Sequence, residues 1–94
     1  MNDVTINEVL NYNSVTIIDI RNKVDYDLGH IPNSICIPFK DLLINYPTYL
    51  KKDGKYYLYC QNGYSSHDLA VRFNTLGYNI KSIIGGYDNY LQNK

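Results

Sequence analysis

The stretch KYYLYCQNGYSSH, residues 55–67, decides how this chain folds. Residues 56–60 are aromatic or apolar without alternation, which is typical of a strand buried on both faces of a parallel sheet. Gln61-Asn62-Gly63 has the composition of a turn, and residues 68–76 repeat apolar side chains at helical spacing. The stretch therefore predicts a central strand that ends at a cysteine, followed by a short loop and a helix.

The helix after the loop is predicted from its spacing and its ends. Ser65 or Ser66 is a suitable N-cap residue, because a serine hydroxyl can accept a hydrogen bond from the first helical turn. Gly77 is the expected residue after the last turn. The inward face is expected to carry Leu69, Val71 or Arg72, Phe73 and Leu76.

Cys60 is the first candidate for a reactive group. A thiol at the end of this strand would face the backbone N–H groups of the loop and the positive end of the helix, and both stabilise a thiolate. The small, polar residues after Cys60 can wrap around an anion rather than fill a core. A second interpretation stays open, because cysteine often fills a strand end as a small buried hydrophobe.

The composition of the chain limits its class and its partners. A length of 94 residues predicts one domain, residues 1–94, with a single core. The formal net charge is +0 at pH 7, so neither nucleic acid nor an anionic membrane is an expected partner. The first residues show no leader pattern and no apolar run is long enough to span a bilayer, which predicts a cytoplasmic protein. We expect a monomer.

Short strands alternate with helices along the whole chain, and this order predicts an α/β domain with a mostly parallel sheet. Strands are expected at residues 14–21, 35–37, 56–60 and 80–84, with a brief edge strand before residue 6. Helices are expected over residues 6–10, 23–28, 39–44, 68–76 and 87–91. Tyr46-Pro47-Thr48 should end the third helix, and Gly85-Gly86 allows a sharp turn before the last one.

Polar residues stand near two of the other strands. Asp19 and Arg21 form either a solvated strand end or an ion pair at the sheet edge where open α/β folds bind ligands. His30 is expected to anchor its turn rather than act as a general base. Cys36 lies between two prolines and is expected to be a buried structural thiol. Cys36 and Cys60 lack the spacing of metal ligands, so we expect reduced thiols, no metal and no cofactor.

Several of these segments together resemble a known family. They are DIR at 19–21, DY at 25–26, GHIPNSICIP at 29–38, YCQNGYSS at 59–66, LGY at 76–78 and GGY at 85–87. In this order and at this spacing they are similar to the single-domain rhodaneses, over most of the chain from residue 3 to residue 92. The resemblance implies a three-layer α/β/α rhodanese-like fold with a mostly parallel central sheet of about five short strands.

The resemblance also implies a sulfurtransferase. In such an enzyme the loop cysteine, here Cys60, takes sulfane sulfur from a small-molecule or protein donor, holds it as a persulfide and passes it to a thiol or another nucleophile. Asp19, Arg21 and His30 match positions that support the neighbouring turn and strand end. The donor would bind against the loop that follows the cysteine, whose residues are Gln61, Asn62, Gly63, Tyr64, Ser65 and Ser66.

One loop position departs from the family pattern. Many active members have an arginine where this chain has Ser65, and Gln61 is uncharged. Because arginine holds an anionic donor such as thiosulfate through paired, charge-assisted contacts, we expect weak use of thiosulfate and a preference for persulfide donors. His67 could add positive charge when protonated, or it could be a solvated helix residue.

Two other functions stay open. A degenerate rhodanese module could bind a partner protein without performing chemistry; the missing arginine favours this interpretation, whereas Cys60 and Gly63 oppose it. Related folds support phosphatase or arsenate-reductase chemistry, but those sites generally have a loop one residue longer and an arginine clamp for the oxyanion. The present loop has neither feature, so this third function is disfavoured.

Overall fold

The computed structural model describes residues 2–93, which form a central five-stranded sheet with helices on both faces. The strands are β1 (Asp3–Val4), β2 (Thr16–Asp19), β3 (Ser34–Cys36), β4 (Lys55–Tyr59) and β5 (Asn79–Ile83). Their spatial order is β1-β5-β4-β2-β3, and all pairings are parallel. The predicted α/β fold with a parallel sheet is therefore confirmed.

Among the described residues, four helices connect successive strands and a fifth follows the last strand. They are α1 (Ile6–Leu10), α2 (Lys23–Leu28), α3 (Phe39–Tyr49), α4 (Tyr64–Thr75) and α5 (Gly86–Gln92). Over residues 2–93, none of these helices has the length and apolar character needed to cross a membrane.

The strand β4 lies in the middle of the sheet and is buried on both faces, as its unbroken apolar sequence predicts. Tyr56 and Leu58 pack into the core on the side of α3 and α4. Tyr57 and Tyr59 pack into the core on the other side, which α1 and α5 cover. The sheet therefore separates two apolar layers, which gives the expected three-layer architecture.

The helix α4 begins earlier than the serine-cap pattern predicts. Gly63 is its N-cap residue, with φ of +97°, so the first turn already contains Ser65 and Ser66. Glycine adopts this left-handed backbone at no steric cost, and this allows the chain to enter the helix directly from the loop. The predicted serine cap is therefore wrong. On the inward face, Leu69 and Phe73 are buried as predicted, but Ala70 is buried with them, while Val71, Arg72 and Leu76 are exposed.

The helix α3 continues past the predicted stop at Pro47. Asn45 interrupts it with non-helical backbone angles, so two short helical segments meet at a kink. Pro47 then lies in the first turn of the second segment. A backbone N–H at that position has no helical partner, so the lack of an N–H in proline costs little stability. Leu50 follows the helix and is buried in the core, which gives the extension an apolar anchor.

Cys36 is not the buried thiol that the sequence predicts. It lies on β3, the edge strand next to β2, and its side chain is only partly buried. An edge strand is covered less completely than a central one, and this accounts for the difference. The thiol lies 3.7 Å from the backbone oxygen of Arg21.

Candidate active site

Cys60 is the first residue after β4, at the carboxyl end of the central strand. The residue is buried, with 7% of its surface exposed. Two backbone N–H groups donate to its sulfur: that of Gly63 at an N···Sγ distance of 3.1 Å and that of Ser66 at 3.4 Å. Both amides belong to the loop and the first turn of α4, where the helix dipole is positive. This arrangement stabilises negative charge on the Cys60 sulfur.

A pair of buried serine hydroxyls lies beneath the sulfur. Ser66 Oγ is 3.5 Å from Cys60 Sγ and 2.6 Å from Ser82 Oγ on β5. Both serines are fully buried. Ser66 Oγ also donates to the backbone oxygen of Gly63 at 3.3 Å. The pair therefore connects the loop, α4 and β5 directly below the cysteine, and it fixes the position of the Ser66 amide that contacts the sulfur.

The loop is also held from its outer side by the start of α5. The N–H groups of Tyr87 and Asp88 donate to the backbone oxygens of Cys60 and Gln61, at 2.9 Å and 3.0 Å. These two bonds fix the start of the loop, from which the chain turns back so that the amides of Gly63 and Ser66 reach the sulfur. Gly86 permits this close approach, because a Cβ atom at this position would collide with the backbone oxygen of Cys60.

Asp19 and Arg21 form a buried ion pair at the carboxyl end of β2. Arg21 Nη2 lies 2.7 Å from Asp19 Oδ2, with side-chain exposures of 6% and 0%. Burial by itself lowers the pKa of Arg21, but the hydrogen bonds and the charge of Asp19 raise it above its ordinary value, so the guanidinium remains charged. Of the two alternatives in the sequence, the structure shows the ion pair rather than the solvated strand end.

Arg21 is fully engaged by groups around the loop. Its Nη2 also donates to the backbone oxygen of Gly29 at 2.6 Å, and its guanidinium lies over the ring of Tyr87 at 4.2 Å from the centroid. Its Nη1 donates to Gln61 Oε1 at 3.3 Å, and Gln61 Nε2 in turn donates to Asp88 Oδ1 at 2.6 Å. Arg21 therefore supports the loop through Gln61, and the side chain of Gln61 is held by this network rather than directed at the sulfur.

The remaining predicted site residues lie in the loop, in the first turn of α4 and just after α2. Asn62 Oδ1 accepts from the N–H of Tyr64 at 3.1 Å, which stabilises the turn into α4. Tyr64 is 77% exposed, and Ser65 is also exposed. His30 lies at the end of α2, where its Nδ1 is 2.8 Å from the backbone oxygen of Tyr26 and its ring stacks on the tyrosine ring. His30 thus makes the contacts of a turn anchor.

A groove runs along the outer side of the loop, with a volume of about 290 Å³. Asp3 and His67 form part of its wall, and His67 Nδ1 lies 2.8 Å from Asp3 Oδ1. The hydrogen bond from Asp3 and its charge raise the pKa of His67 above its ordinary value. The other lining residues are Asn62, Gly63, Tyr64, Ile84 and Gly85.

Sequence reasoning missed two parts of this site. Ser82 is buried under the cysteine, and its signal in the sequence is a single hydroxyl among the isoleucines of the strand predicted at residues 80–84. Asp3 belongs to the brief first strand and reaches His67 only because β1 pairs with β5. A contact across 64 positions has no local signature, so neither residue pattern nor spacing could have indicated it.

Comparisons with known proteins agree with this geometry. The rhodanese-like domain family matches residues 5–93. The adenylyltransferase and sulfurtransferase UBA4 of Candida albicans is 30% identical over an alignment of 82 residues, and the match covers 79% of this chain and 19% of that protein. The chain thus spans about a fifth of the length of this relative.

Two solved structures show the same fold. The rhodanese-like domain protein of Staphylococcus aureus has a TM-score of 0.81 and 26% identity, over 96% of this chain and 91% of that chain. A human single-domain sulfurtransferase has a TM-score of 0.83 and 20% identity, over 100% and 98% of the two chains. The fold, the loop at the end of the central strand and the match over residues 5–93 together establish that the chain belongs to the rhodanese-like domain family.

Proposed function

We propose that this protein is a sulfurtransferase that carries sulfane sulfur as a persulfide on Cys60. The observation that supports this function is the pair of N–H groups, from Gly63 and Ser66, that donate to the Cys60 sulfur. These donors favour the thiolate that attacks a sulfur donor, and they stabilise the same thiolate when it becomes the leaving group. The sulfurtransferase named among the relatives is consistent with this proposal.

The reaction divides into two transfers in which Cys60 is first nucleophile and then leaving group. In the first transfer, Cys60 attacks the outer sulfur of a persulfide donor, and the donor leaves as a thiol. In the second, an acceptor thiol attacks the outer sulfur of the Cys60 persulfide, the S–S bond breaks, and its electron pair returns to Cys60. The partners are therefore a small-molecule or protein sulfur donor and a thiol acceptor. No cofactor is needed for either step.

Donor preference follows from the charge of the loop. Ser65 supplies no positive charge, and the nearby guanidinium of Arg21 is bound by Asp19 and the backbone oxygen of Gly29. An anionic donor such as thiosulfate therefore meets only the amides and the end of the helix. We propose that persulfides are better donors than thiosulfate for this protein.

Mass spectrometry of the intact protein tests the proposed function. After incubation with a persulfide donor and removal of excess reagent, the reduced protein should gain the mass of one sulfur atom. Digestion should place this atom on Cys60. Cys36→Ser is the matched control and should still load, whereas Cys60→Ser should not, because serine has no sulfur to form the persulfide. A protein that binds no sulfur on Cys60 would be a binding module without this chemistry.

A further inference from the structure

Ser82 is a polar residue buried in the apolar layer beneath the cysteine. It lies on β5 opposite Leu58 of β4, and Ile80 and Leu69 belong to the core on this side of the sheet. The residue has no exposed surface, and a buried hydroxyl costs free energy unless it is hydrogen-bonded. Among the described residues, its hydroxyl bonds only to Ser66 Oγ, at 2.6 Å. What the Ser82 side chain contributes therefore passes through Ser66.

The hydrogens of these two hydroxyls can be assigned from their partners, because each hydroxyl has one hydrogen and two lone pairs. Ser66 Oγ has two further acceptors within reach, the Gly63 carbonyl oxygen at 3.3 Å and Cys60 Sγ at 3.5 Å. If Ser66 donated to Ser82 instead, the hydrogen of Ser82 would be buried without an acceptor. Ser82 therefore donates to Ser66, and the Ser66 hydrogen stays available for the carbonyl or the sulfur.

The charge on the Cys60 sulfur decides between these two acceptors. A neutral sulfur, in a thiol or a persulfide, is a weak acceptor, so the Ser66 hydroxyl donates to the Gly63 carbonyl. A thiolate binds donors more strongly than a neutral group does, so the hydroxyl turns to Sγ when the sulfur is ionised. The thiolate then has three donors, the amides of Gly63 and Ser66 and this hydroxyl.

The hydrogen bond from Ser82 favours the ionised state of the sulfur. It polarises the Ser66 O–H group, which makes that group a better donor. It also satisfies Ser66 Oγ as an acceptor, so a neutral Cys60 thiol gains less by pointing its hydrogen there. Both effects stabilise the thiolate relative to the thiol.

We infer that Ser82 is a positioning residue, which holds the Ser66 hydroxyl ready to donate to the Cys60 thiolate. The catalytic part of this inference rests on the proposed function. During discharge, an acceptor sulfur attacks the outer sulfur of the persulfide, the S–S bond breaks, and its electron pair moves to Cys60 Sγ. The Ser66 hydroxyl then turns from the Gly63 carbonyl to this sulfur. Its hydrogen stays on the oxygen, so the step needs no proton transfer by Ser66 and no further oxidant or reductant.

Such a contact accelerates transfer because it forms only as charge develops on the leaving sulfur. The loaded protein, with a neutral Cys60 sulfur, does not gain from it. An interaction that is stronger in the transition state than in the state before it lowers the barrier.

The pH profile of Cys60 alkylation tests the effect of Ser82 on the thiolate without any sulfur transfer. Rates of reaction with iodoacetamide are measured in a Cys36→Ser background. Ser82→Thr and Ser82→Val have the same shape and differ only in the hydroxyl. Ser82→Thr should keep the starting profile. In Ser82→Val the rising limb should move to higher pH by about one unit, the scale of a tenfold loss in one hydrogen bond near a charge.

Two features of the profile separate this role from a packing defect. The plateau at high pH should hardly change in Ser82→Val, because there the thiol is ionised in both proteins. None of the variants alters a charge near the loop, where the charged residues are Asp3, Asp19, Arg21, His67, Asp68 and Asp88. A shift of the rising limb with an unchanged plateau therefore reports on hydrogen bonding to the sulfur.

Ser34→Ala is the control for the loss of a buried hydroxyl elsewhere in the sheet. Ser34 is buried on β3, where its Oγ lies 3.1 Å from the hydroxyl of Tyr59 in the core on the other side of the sheet. This variant should keep the starting profile. Equal profiles for Ser82→Thr and Ser82→Val, or a shift of the same size in Ser34→Ala, would overturn the inference.

Discharge of loaded protein tests the catalytic part. Protein that carries one sulfur on Cys60 is mixed with 2-mercaptoethanol, and rapid quenching with mass spectrometry follows the return of the unloaded mass. Ser82→Val should discharge about tenfold more slowly than Ser82→Thr. Equal discharge rates would overturn the role of Ser82 in transfer. Wild-type protein that never loads sulfur would defeat the proposed function, whereas the alkylation profile would still decide whether Ser82 acts on the thiolate.

Discussion

The two cysteines show how the immediate surroundings of a thiol set its reactivity. Cys60 Sγ receives N–H groups from Gly63 and Ser66, whereas Cys36 Sγ faces the backbone oxygen of Arg21, which can only accept. Burial raises the pKa of the Cys36 thiol, and the charge of Asp19 raises it further. Near neutral pH, Cys36 is therefore a poor nucleophile although it is the more exposed of the two thiols.

The first prediction concerns this pair of thiols. Limiting iodoacetamide near neutral pH should alkylate Cys60 before Cys36, because the thiolate is the reacting form. The reagent must be small, since Cys60 is only 7% exposed. Peptide mapping by mass spectrometry gives the order of labelling, and denatured protein, in which the two thiols lose their different surroundings, is the control. Labelling of Cys36 first would contradict a reactive Cys60.

A second prediction at the scale of one residue concerns Ser65. An arginine here would add a charge-assisted contact worth roughly 1.5–3 kcal/mol to an anionic donor. Ser65→Arg should therefore raise kcat/KM for thiosulfate by about tenfold to a hundredfold, if the whole gain appears in the transition state. An uncharged persulfide donor should gain far less.

Steady-state assays with both donors check this difference. Ser65→Gln is the matched control, because it lengthens the side chain without adding charge. An equal rise for both donors would mean that the substitution changes Cys60 itself. Wild-type protein that already uses thiosulfate as well as Ser65→Arg does would show that the loop draws a cation from elsewhere.

At the scale of secondary-structure elements, the loop depends on α5 as much as on α4. The helix α4 supplies the amide of Ser66 and the positive end of its dipole, while α5 binds the carbonyl groups of Cys60 and Gln61 through its first amides. The two helices therefore orient the same loop from opposite sides. Gly86 is the residue at which α5 and the loop come closest.

The third prediction tests this contact. Gly86→Ala places a methyl group against the backbone oxygen of Cys60, at a position with φ of +59°. The left-handed backbone should cost about 1–2 kcal/mol, and the overpacking a further 1–3 kcal/mol or so. Urea unfolding should show a lower midpoint, and persulfide loading should slow because the loop amides move from the sulfur.

Gly77→Ala is the matched control for this substitution. Gly77 also has a positive φ, of +98°, but its added methyl group would meet only the flexible end of Lys52 at 3.1 Å. Gly77→Ala should therefore lose stability through its left-handed backbone but not through a clash with the loop, and persulfide loading should stay normal. Equal effects of the two substitutions on stability and loading would contradict a specific role for the contact between α5 and the loop.

The same elements show which parts of the fold could be predicted from sequence. The central strand was predictable because burial on both faces leaves an unbroken apolar run, in Tyr56, Tyr57 and Leu58. The start of α4 was not, because the serine-cap pattern competes with the left-handed conformation of Gly63, and tertiary contacts decide between them. Proline disrupts a helix when an uninterrupted turn precedes it. Because the backbone is already kinked at Asn45, Pro47 does not end α3.

The candidate site also has parts that could be predicted from sequence and parts that could not. Cys60 and its loop have a local signature, since a strand, a polar turn and a helix follow one another in sequence. For Asp19 and Arg21 the sequence left two alternatives, an ion pair or a solvated strand end, because sequence alone does not show whether two nearby charged residues are buried. The contact between Asp3 and His67 depends on the order of the strands and has no local signal.

At the scale of the whole molecule, the amino-terminal edge of the sheet is held by a few contacts. The short strand β1 pairs only with β5, where the N–H groups of Ser82 and Ile84 donate to the backbone oxygens of Asn2 and Val4. Asn74 on α4 donates to the side chain of Asn2, and His67 donates to Asp3. One of these contacts, that of His67 with Asp3, therefore involves a side chain that titrates near neutral pH.

The contact between His67 and Asp3 makes the attachment of β1 depend on pH. The hydrogen bond and charge of Asp3 raise the pKa of His67 above 6.5 in the folded protein. A raised pKa means that the charged histidine favours the folded state, so its contribution is complete below 6.5 and is lost as the pH rises through the folded pKa. Both side chains are about a third to a half exposed, at 34% and 46%, so solvent screens the pair and the effect should be small and local.

The fourth prediction is that hydrogen exchange detects this loss at the first strand. Protection factors of the Ser82 and Ile84 amides, corrected for intrinsic exchange, should fall as the pH is raised from about 6 to about 8, the range in which histidine titrates. The amide of Ile20, which donates to the backbone oxygen of Tyr59 between β2 and β4, reports on the middle of the sheet, away from β1, and should change less. In His67→Gln the same two amides should show no such fall, because glutamine does not titrate. A fall of equal size at Ile20, or one that persists in His67→Gln, would show that the pH acts on the whole domain rather than through His67.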